Sequence, residues 1–501
     1  MFEKDNWLQS LLPFLIYGLT LFMPAPNSDT ISADKQQHRY PLTGLLMLGL
    51  MGLILLGRMT GISLFDSAAH LVTILLVILG WRVIGLREIY LLSCCVILSG
   101  LAYYLLGFQP IIYQEAFAQA AFLMAFLLIL SLLHEAAMTS PSVAECGKFL
   151  TRQRAGRRFA VLFLGSNFMA VLFNLGLVSI LTPLIQKGLE QDKGNPSLMK
   201  LREQRQITAM LRGFAWVVVW SPTAIAPLAI FELIEGISRQ LWTAYGIVFA
   251  LVMFGLGWAE DQWRFRNVQR QPSSSDITPF PSSAFLRFGV ILAILFGMAV
   301  ILSILFDDTI VFGLLISCPL VMFGWLYRQT KTIPQKKRFP AFVKRLDEIS
   351  FIALPKNHQI IITLAASGFI GRIGAGMIPA EEFANALGLY HMPDYMFLSL
   401  LSIAMIPVSY LGVSPIMMAV FFGSILGALP ILPADPTLVA LAISSGWAVS
   451  MTASPFATVV LMISRLNNIS PLHLTLRWSG VFSVLALCLI SAMFFVITGG
   501  T

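Results

Sequence analysis

Two apolar stretches, one in each half of the chain, carry a Ser-Pro pair near their middle. They are GFAWVVVWSPTAIAPLAI from Gly213 to Ile230 and GWAVSMTASPFATVVLMI from Gly446 to Ile463. A proline inside a helix removes one backbone hydrogen bond and leaves a carbonyl unpaired, which is tolerated in an apolar environment only where something polar takes it up. Ser221, Pro222 and Thr223 surround the first break, and Ser450, Thr452 and Ser454 the second. Freed carbonyls with serine and threonine hydroxyls are the donor set for a small cation, whereas the N-terminal end of a half-helix favours an anion. A second group of candidates lies at two Leu-Gly corners: Asn174, Gly176 and Ser179 in FNLGLVSILTP, and Tyr410, Gly412 and Ser414 in SYLGVSPIMM. Arg372, in SGFIGRIGAGMI, is the clearest basic residue within an apolar run. It is a candidate for neutralising an anionic substrate, with pairing to Glu381 or Glu382 or an interfacial position as the alternatives. His134-Glu135 is a candidate proton carrier, although at the end of an apolar run both side chains are expected to be solvated. Residue 138 is Met, so the second histidine of a zincin motif is missing.

The elements that must hold these residues follow from composition. With 57% hydrophobic and 12% charged residues and a mean hydropathy of +0.80, the chain cannot be a set of soluble domains. It reads as an all-α polytopic membrane protein. The net charge of +8 falls in short loops, where it sets orientation, so no nucleic-acid partner is implied. Cys94, Cys95, Cys146, Cys318 and Cys488 are odd in number and lack paired metal-ligand spacing, and read as small apolar core residues. Leu11 to Met23 is kept as a first span instead of a cleaved signal, because MFEKD has no net positive charge and Pro13 interrupts the apolar core.

Apolar runs near the bilayer-crossing length occur around 7–23, 41–57, 68–81, 89–108, 117–133, 210–233, 241–258, 285–306, 310–327, 359–378, 437–463 and 478–498. Two more, 159–186 and 395–430, are too long for one span and too short for two, and each contains a Leu-Gly break. They are expected to be re-entrant hairpins, covering 159–188 and 395–430, that enter and leave on one side. With about 12 transmembrane helices and an external N-terminus, 29 of the 33 Lys and Arg residues fall on the cytoplasmic side. Only Lys4, Arg58, Arg239 and Arg372 fall outside, and this asymmetry survives only if neither hairpin crosses. The stretch RQTKTIPQKKRFPAFVKR, from Arg328 to Arg345, reads as part of this orientation signal, with binding of anionic lipid head groups as the alternative.

The two Ser-Pro spans align without gaps over Gly213–Leu233 and Gly446–Leu466, with identities that include Gly213/Gly446, Ser221/Ser454 and Pro222/Pro455. In both halves the order is span, interfacial segment, hairpin, Ser-Pro span, final span. Five crossings per unit place the second copy upside down. The expected organisation is an N-terminal pair of spans (1–58), repeat 1 (59–258), a Ser- and Pro-rich cytoplasmic linker (259–283) and repeat 2 (284–501). Inverted repeats with paired broken helices are the sequence pointer to a midplane site in a secondary transporter.

This pattern resembles the ion transporter superfamily, which includes divalent-anion/sodium symporters and citrate and arsenite carriers. The resembling residues are FNLGLVSILTP and SYLGVSPIMM for the hairpins, with WSPTAIAP (Trp220 to Pro227) and TASPFAT (Thr452 to Thr458) at the unwound loops. The resemblance implies two inverted repeats, with hairpin tips and unwound helices meeting at a substrate site. The tips here differ in chemistry, reading Asn174-Leu175-Gly176 and Tyr410-Leu411-Gly412 where sodium-coupled dicarboxylate carriers have a hydroxyl-rich signature.

The expected function is secondary active transport of a small anionic solute by alternating access, driven by a proton or sodium gradient. No cofactor is expected beyond a coupling Na⁺ or H⁺. Expected partners are a small-molecule substrate, membrane lipids and a second copy in a homodimer. The expected location is a bacterial inner membrane with both termini extracytoplasmic. The competing class is a membrane-embedded transferase acting on a lipid-linked substrate, which needs grouped carboxylates. The adjacent acids Glu260-Asp261, Asp307-Asp308 and Glu381-Glu382 fall in different loops.

Overall fold

The structure is a computed structural model that describes residues 40–154, 156–190, 196–267 and 279–500. The first predicted span, 7–23, and residues 268–278 of the predicted linker lie outside the described residues, and the linker's first residues, 259–264, are helical. Among the described residues the fold is all helical, and ten helical segments are long and apolar enough to cross a bilayer. Helices satisfy most backbone polar groups internally, as hydrocarbon requires. Large apolar side chains on these segments, such as Val96, Ile304 and Val496, point outward and are exposed, as a lipid-facing surface demands.

The chain forms two compact units. The first comprises 40–128 and 339–373. In it α1 (Pro41–Thr60) turns at Gly61, whose φ of +67° closes the helix in a left-handed cap, into α2 (Ser63–Leu79). α3 (Leu86–Leu106) and the start of α4 (Pro110–Met138) follow. The returning segment is α14 (His358–Gly376), which α13 (Gln335–Glu348) precedes through a π turn and a 3₁₀ turn. The buried Glu88 carboxylate ties α3 to α14. It accepts hydrogen bonds from Gly85 N (2.8 Å), Gln359 Nε2 (2.8 Å) and Thr363 Oγ1 (3.0 Å).

The second unit, 129–338 and 374–500 of the described chain, holds every Ser-Pro and Leu-Gly break. The sequence expectation of two short helices around each Leu-Gly corner is met by α6 (Arg158–Phe173) with α7 (Gly176–Glu190), and by α16 (Asp394–Tyr410) with α17 (Pro415–Gly427). The first Ser-Pro span is α8 (Pro196–Ala215) followed by α9 (Ile225–Phe231). The second is α18 (Pro436–Ala453) followed by α19 (Thr458–Asn467). Supporting helices are α5 (Pro141–Thr151), α10 (Arg239–Arg264), α11 (Ser282–Leu305), α12 (Ile310–Gln329), α15 (Ala380–Ala386) and α20 (Gly480–Thr498).

Three sequence expectations change. Residues 196–209, read as loop, are the first turns of α8. Their polar side chains are taken up by neighbours, as when Gln206 Nε2 donates to Thr151 O at 3.2 Å. Much of 328–358, also read as loop, is helix. Cys488 is exposed, and Cys94 and Cys95 are half-buried, so only Cys146 and Cys318 are core residues.

Packing follows the repeat. The first helix of each pair lies against the first half of the Ser-Pro span in its own half of the chain, and an aligned glycine makes room for it. A Cβ on Gly213 would sit 2.2 Å from Phe163 O, and one on Gly446 would sit 2.6 Å from Ser402 O. The second helix of each pair instead packs on the far end of the other half's span. α7 meets α19, where Gln186 Nε2 bonds Asn467 Oδ1. α17 meets the end of α9, where a Cβ on Gly427 would sit 1.9 Å from Leu233 O. This exchange is reciprocal between the two halves of the chain.

Candidate functional site

The first span tightens from α8 into a 3₁₀ turn at Trp216–Val219, then loses helical form through Ser221, Pro222 and Thr223. Gly246 of α10 makes room for this break, since a Cβ there would sit 1.8 Å from Val219 O. Thr223 Oγ1 donates to Val171 O of α6 at 2.6 Å. That uses its proton, so in the 2.9 Å contact between Ser221 Oγ and Thr223 Oγ1 it is Ser221 that donates. Beside them Trp220 Nε1 donates to Asn167 Oδ1 at 3.0 Å, and Asn167 Nδ2 donates to Gly213 O at 3.0 Å.

The second break repeats this logic with other side chains. Ser454 adopts extended backbone (φ −89°, ψ 129°) and its hydroxyl donates to Ser409 O of α16 at 3.0 Å. Tyr410 OH takes up Ala453 O at 2.8 Å, a carbonyl at the end of the first half-helix. Ser450 donates to Gly446 O and Met405 O (2.8 and 3.2 Å), and Thr452 donates to Val449 O and meets Ser483 Oγ, both at 2.9 Å. In both halves, a hydroxyl at the break therefore bonds a main-chain carbonyl in the last turn before the adjoining Leu-Gly corner.

At the first corner Asn174 has φ +44°, a value that costs a non-glycine residue energy and is held by its surroundings. Gly176 faces His134, and a Cβ at 176 would sit 2.0 Å from the imidazole Cε1. The ring also packs edge-on to Phe173, with centroids 5.9 Å apart. His134 Nδ1 is buried and has no hydrogen-bond partner among the described residues. The expectation of a solvated His134 is thus corrected in part: the residue is half-buried with its Nδ1 edge shielded at the α6–α7 corner, while Met138, at the end of α4, is exposed. At the second corner Gly412 has φ +80°, Leu411 is 75% exposed, and Ser414 caps α17 by accepting from Met417 N at 3.3 Å.

The structure brings Ser221, Pro222 and Thr223 against the last turn of α6, next to Asn174 and Gly176. It likewise brings Ser454 against Ser409 and Tyr410, the residues leading to Gly412. Ser450 and Thr452 are one turn back on α18, with their hydroxyls engaged between helices. Ser179 is exposed on α7. Arg372 lies in the other compact unit, where it pairs with Glu115 at 2.8 Å and not with Glu381 or Glu382. Sequence reasoning missed Asn167, which clamps Trp220. It also missed the buried hydroxyls of Ser166, Thr182, Ser424 and Ser445, which have no hydrogen-bond partner among the described residues. Two of these lie in each half, on the paired helices and on α18.

A charged layer lies at one end of this unit. Arg212, fully buried, pairs with Glu260 at 2.8 Å and sits over the Phe482 ring at 4.3 Å. Arg264 pairs with Glu260 at 3.3 Å and donates to Trp478 O at 2.9 Å, and Arg205 holds Asp261 with both nitrogens of its fork. These contacts join three segments that the charge count places on one side. Gln186, at the end of α7, bonds Glu203 Oε1 in the same set of segments. Segments placed on the opposite side also meet one another. Ser238 N donates to Thr437 Oγ1 (3.2 Å), Thr309 Oγ1 donates to Glu232 (3.3 Å), and Tyr395 at the start of α16 stacks edge-on with Phe495 (5.1 Å).

No protein-family model matches the sequence, and no curated protein matches it. Among solved structures, the fold is similar to that of the YdaH transporter of Alcanivorax borkumensis, with a TM-score of 0.54 at 14% identity, over 82% of this chain and 98% of that one. At this identity the likeness is one of fold, and with the apolar helices it makes the chain an all-α polytopic membrane protein.

Proposed function

We propose that this chain is a secondary active transporter that moves a small anionic solute across the membrane by alternating access. The observation that carries the reading is the paired construction of the breaks. Each Ser-Pro interruption is bonded to the corner of a short helix pair, and each pair's second helix packs on the other half's broken span. The likeness to a transporter fold supports the same reading. The helix pairs act as re-entrant hairpins: the ends of α6–α7 meet segments of one side, and the ends of α16–α17 meet segments of the other. Two inverted repeats of this kind place four interrupted ends near the bilayer centre, where half-helix N-termini attract an anion. In these features the chain resembles the ion transporter superfamily.

Proton coupling is the favoured drive. His134 places a titratable ring against Gly176 at the first corner, so gaining or losing a proton changes the packing of the moving element. The transferase alternative is disfavoured by Glu260-Asp261, the most buried of the adjacent acid pairs, because Arg205, Arg212 and Arg264 already engage both carboxylates.

The test is a thermal-shift screen of the purified protein against carboxylates, sulfonates and oxyanions, with and without sodium, followed by flux of each stabilising compound into proteoliposomes. Accumulation of an anion against its gradient under an imposed pH gradient is expected. Stabilising ligands that are turned over chemically but never accumulate would support the transferase instead.

A further inference from the structure

Helix α13 stands apart among the described helices. It carries Lys336, Lys337, Arg338, Lys344 and Arg345, offset only by Asp347 and Glu348 in its last turn, and none of its residues is buried. At 3.6 residues per turn Phe339, Phe342, Val343 and Leu346 fall on one face. Phe339 is 71% exposed and Val343 46%, a large apolar surface for a helix with so many charges. Arg338 is used internally, donating to Ile333 O (2.9 Å) and Lys331 O (3.2 Å), and Arg345 pairs with Glu348 at 3.1 Å. Lys336, Lys337 and Lys344 have no ion-pair partner among the described residues.

What covers this face follows from continuity. Helical turns run without a gap from Gln335 through Gly376, 42 residues, and the part after His358 is the apolar span. At 1.5 Å per residue that much helix measures about 63 Å along its path, twice the roughly 30 Å of bilayer hydrocarbon, so the basic end before the π and 3₁₀ turns lies beyond the apolar span, at the head-group layer. A basic amphipathic helix held at that depth is matched by anionic lipid.

We infer that α13 is an interfacial helix bound to anionic phospholipid head groups. Phe339 and Val343 dip into the acyl boundary, and Lys336, Lys337 and Lys344 contact lipid phosphates. Three surface lysines favour an anionic over a neutral leaflet by on the order of 100-fold at low salt. The inference does not depend on what the protein transports.

The experiment uses the full chain with its native cysteines replaced and a nitroxide at Val343→Cys, reconstituted in nanodiscs of phosphatidylcholine alone or with phosphatidylglycerol. Collision with dissolved oxygen and with an aqueous nickel chelate reports depth. With phosphatidylglycerol the label should favour oxygen several-fold over nickel, and that preference should vanish in phosphatidylcholine, in high salt, and in the Lys336→Gln/Lys337→Gln/Lys344→Gln variant. Equal nickel access in both lipids would overturn the inference. So would exclusion of both reagents in both lipids, which means packing on protein. Insertion in both lipids that ignores the lysine variant would show an apolar contact alone and overturn the head-group claim.

Discussion

His134 and Gly176 illustrate how much a single contact can decide. The imidazole fills the space that any side chain at 176 would need, and its Nδ1 is buried without an acceptor. A protonated ring has two N–H groups to satisfy, so protonation favours a shifted corner in which freed carbonyls come within reach. His134→Gln keeps comparable volume and removes the titration. It is expected to flatten the dependence of transport on pH measured from about 4 to 8, a range that takes in the protonation of a desolvated imidazole. Measurement of initial flux rates across that range checks this; an unchanged profile would assign coupling elsewhere. At this scale the sequence was half legible. The hydroxyls of Ser221, Thr223 and Ser454 stood out because they flank prolines. Their partners, Val171 O and Ser409 O, are main-chain atoms that no side-chain pattern announces. For Arg372 the nearby acids Glu381 and Glu382 are the partners the sequence suggests, because the actual partner, Glu115, is distant in sequence.

Among the elements, the Ser-Pro spans are broken in ways that packing reinforces. Pro222 and Pro455 cannot donate to a helix ladder, and the carbonyls and amides set free are taken by Tyr410 and by the break's own hydroxyls. If these interruptions exist for function, repairing them should cost activity and not stability. Pro222→Ala and Pro455→Ala are each expected to leave the melting temperature unchanged or raised by a few degrees. Transport should fall at least tenfold. A variant that transports normally would mean that the break does not form the binding site. The breaks, the Leu-Gly corners and the aligned glycines were readable because each requires a specific residue type. The helical nature of 196–209 and 335–348 was not, because polar and basic residues signal loops in a membrane chain until a neighbouring surface is known to receive them.

At the scale of the whole molecule, charge alone sorts the loops into two sets, and contacts join members of the same set. Arg212, Glu260, Arg264 and Trp478 meet at one end, and Ser238 with Thr437 and Glu232 with Thr309 at the other. The division into two compact units was not foreseen, because it pairs 40–128 with 339–373 across the repeat boundary and depends on long-range contacts such as Glu88 with Gln359. The central claim is that the two Leu-Gly corners line an aqueous path open in turn to each side of the membrane. It is tested most directly by placing single cysteines at Leu175 and Leu411 in a cysteine-replaced chain and applying a membrane-impermeant thiosulfonate from either face of oriented proteoliposomes. Both positions should react from both sides, with an imposed pH gradient shifting the ratio of the two rates. Failure to react from either side, which would place the corners in lipid or in sealed protein, would contradict the account.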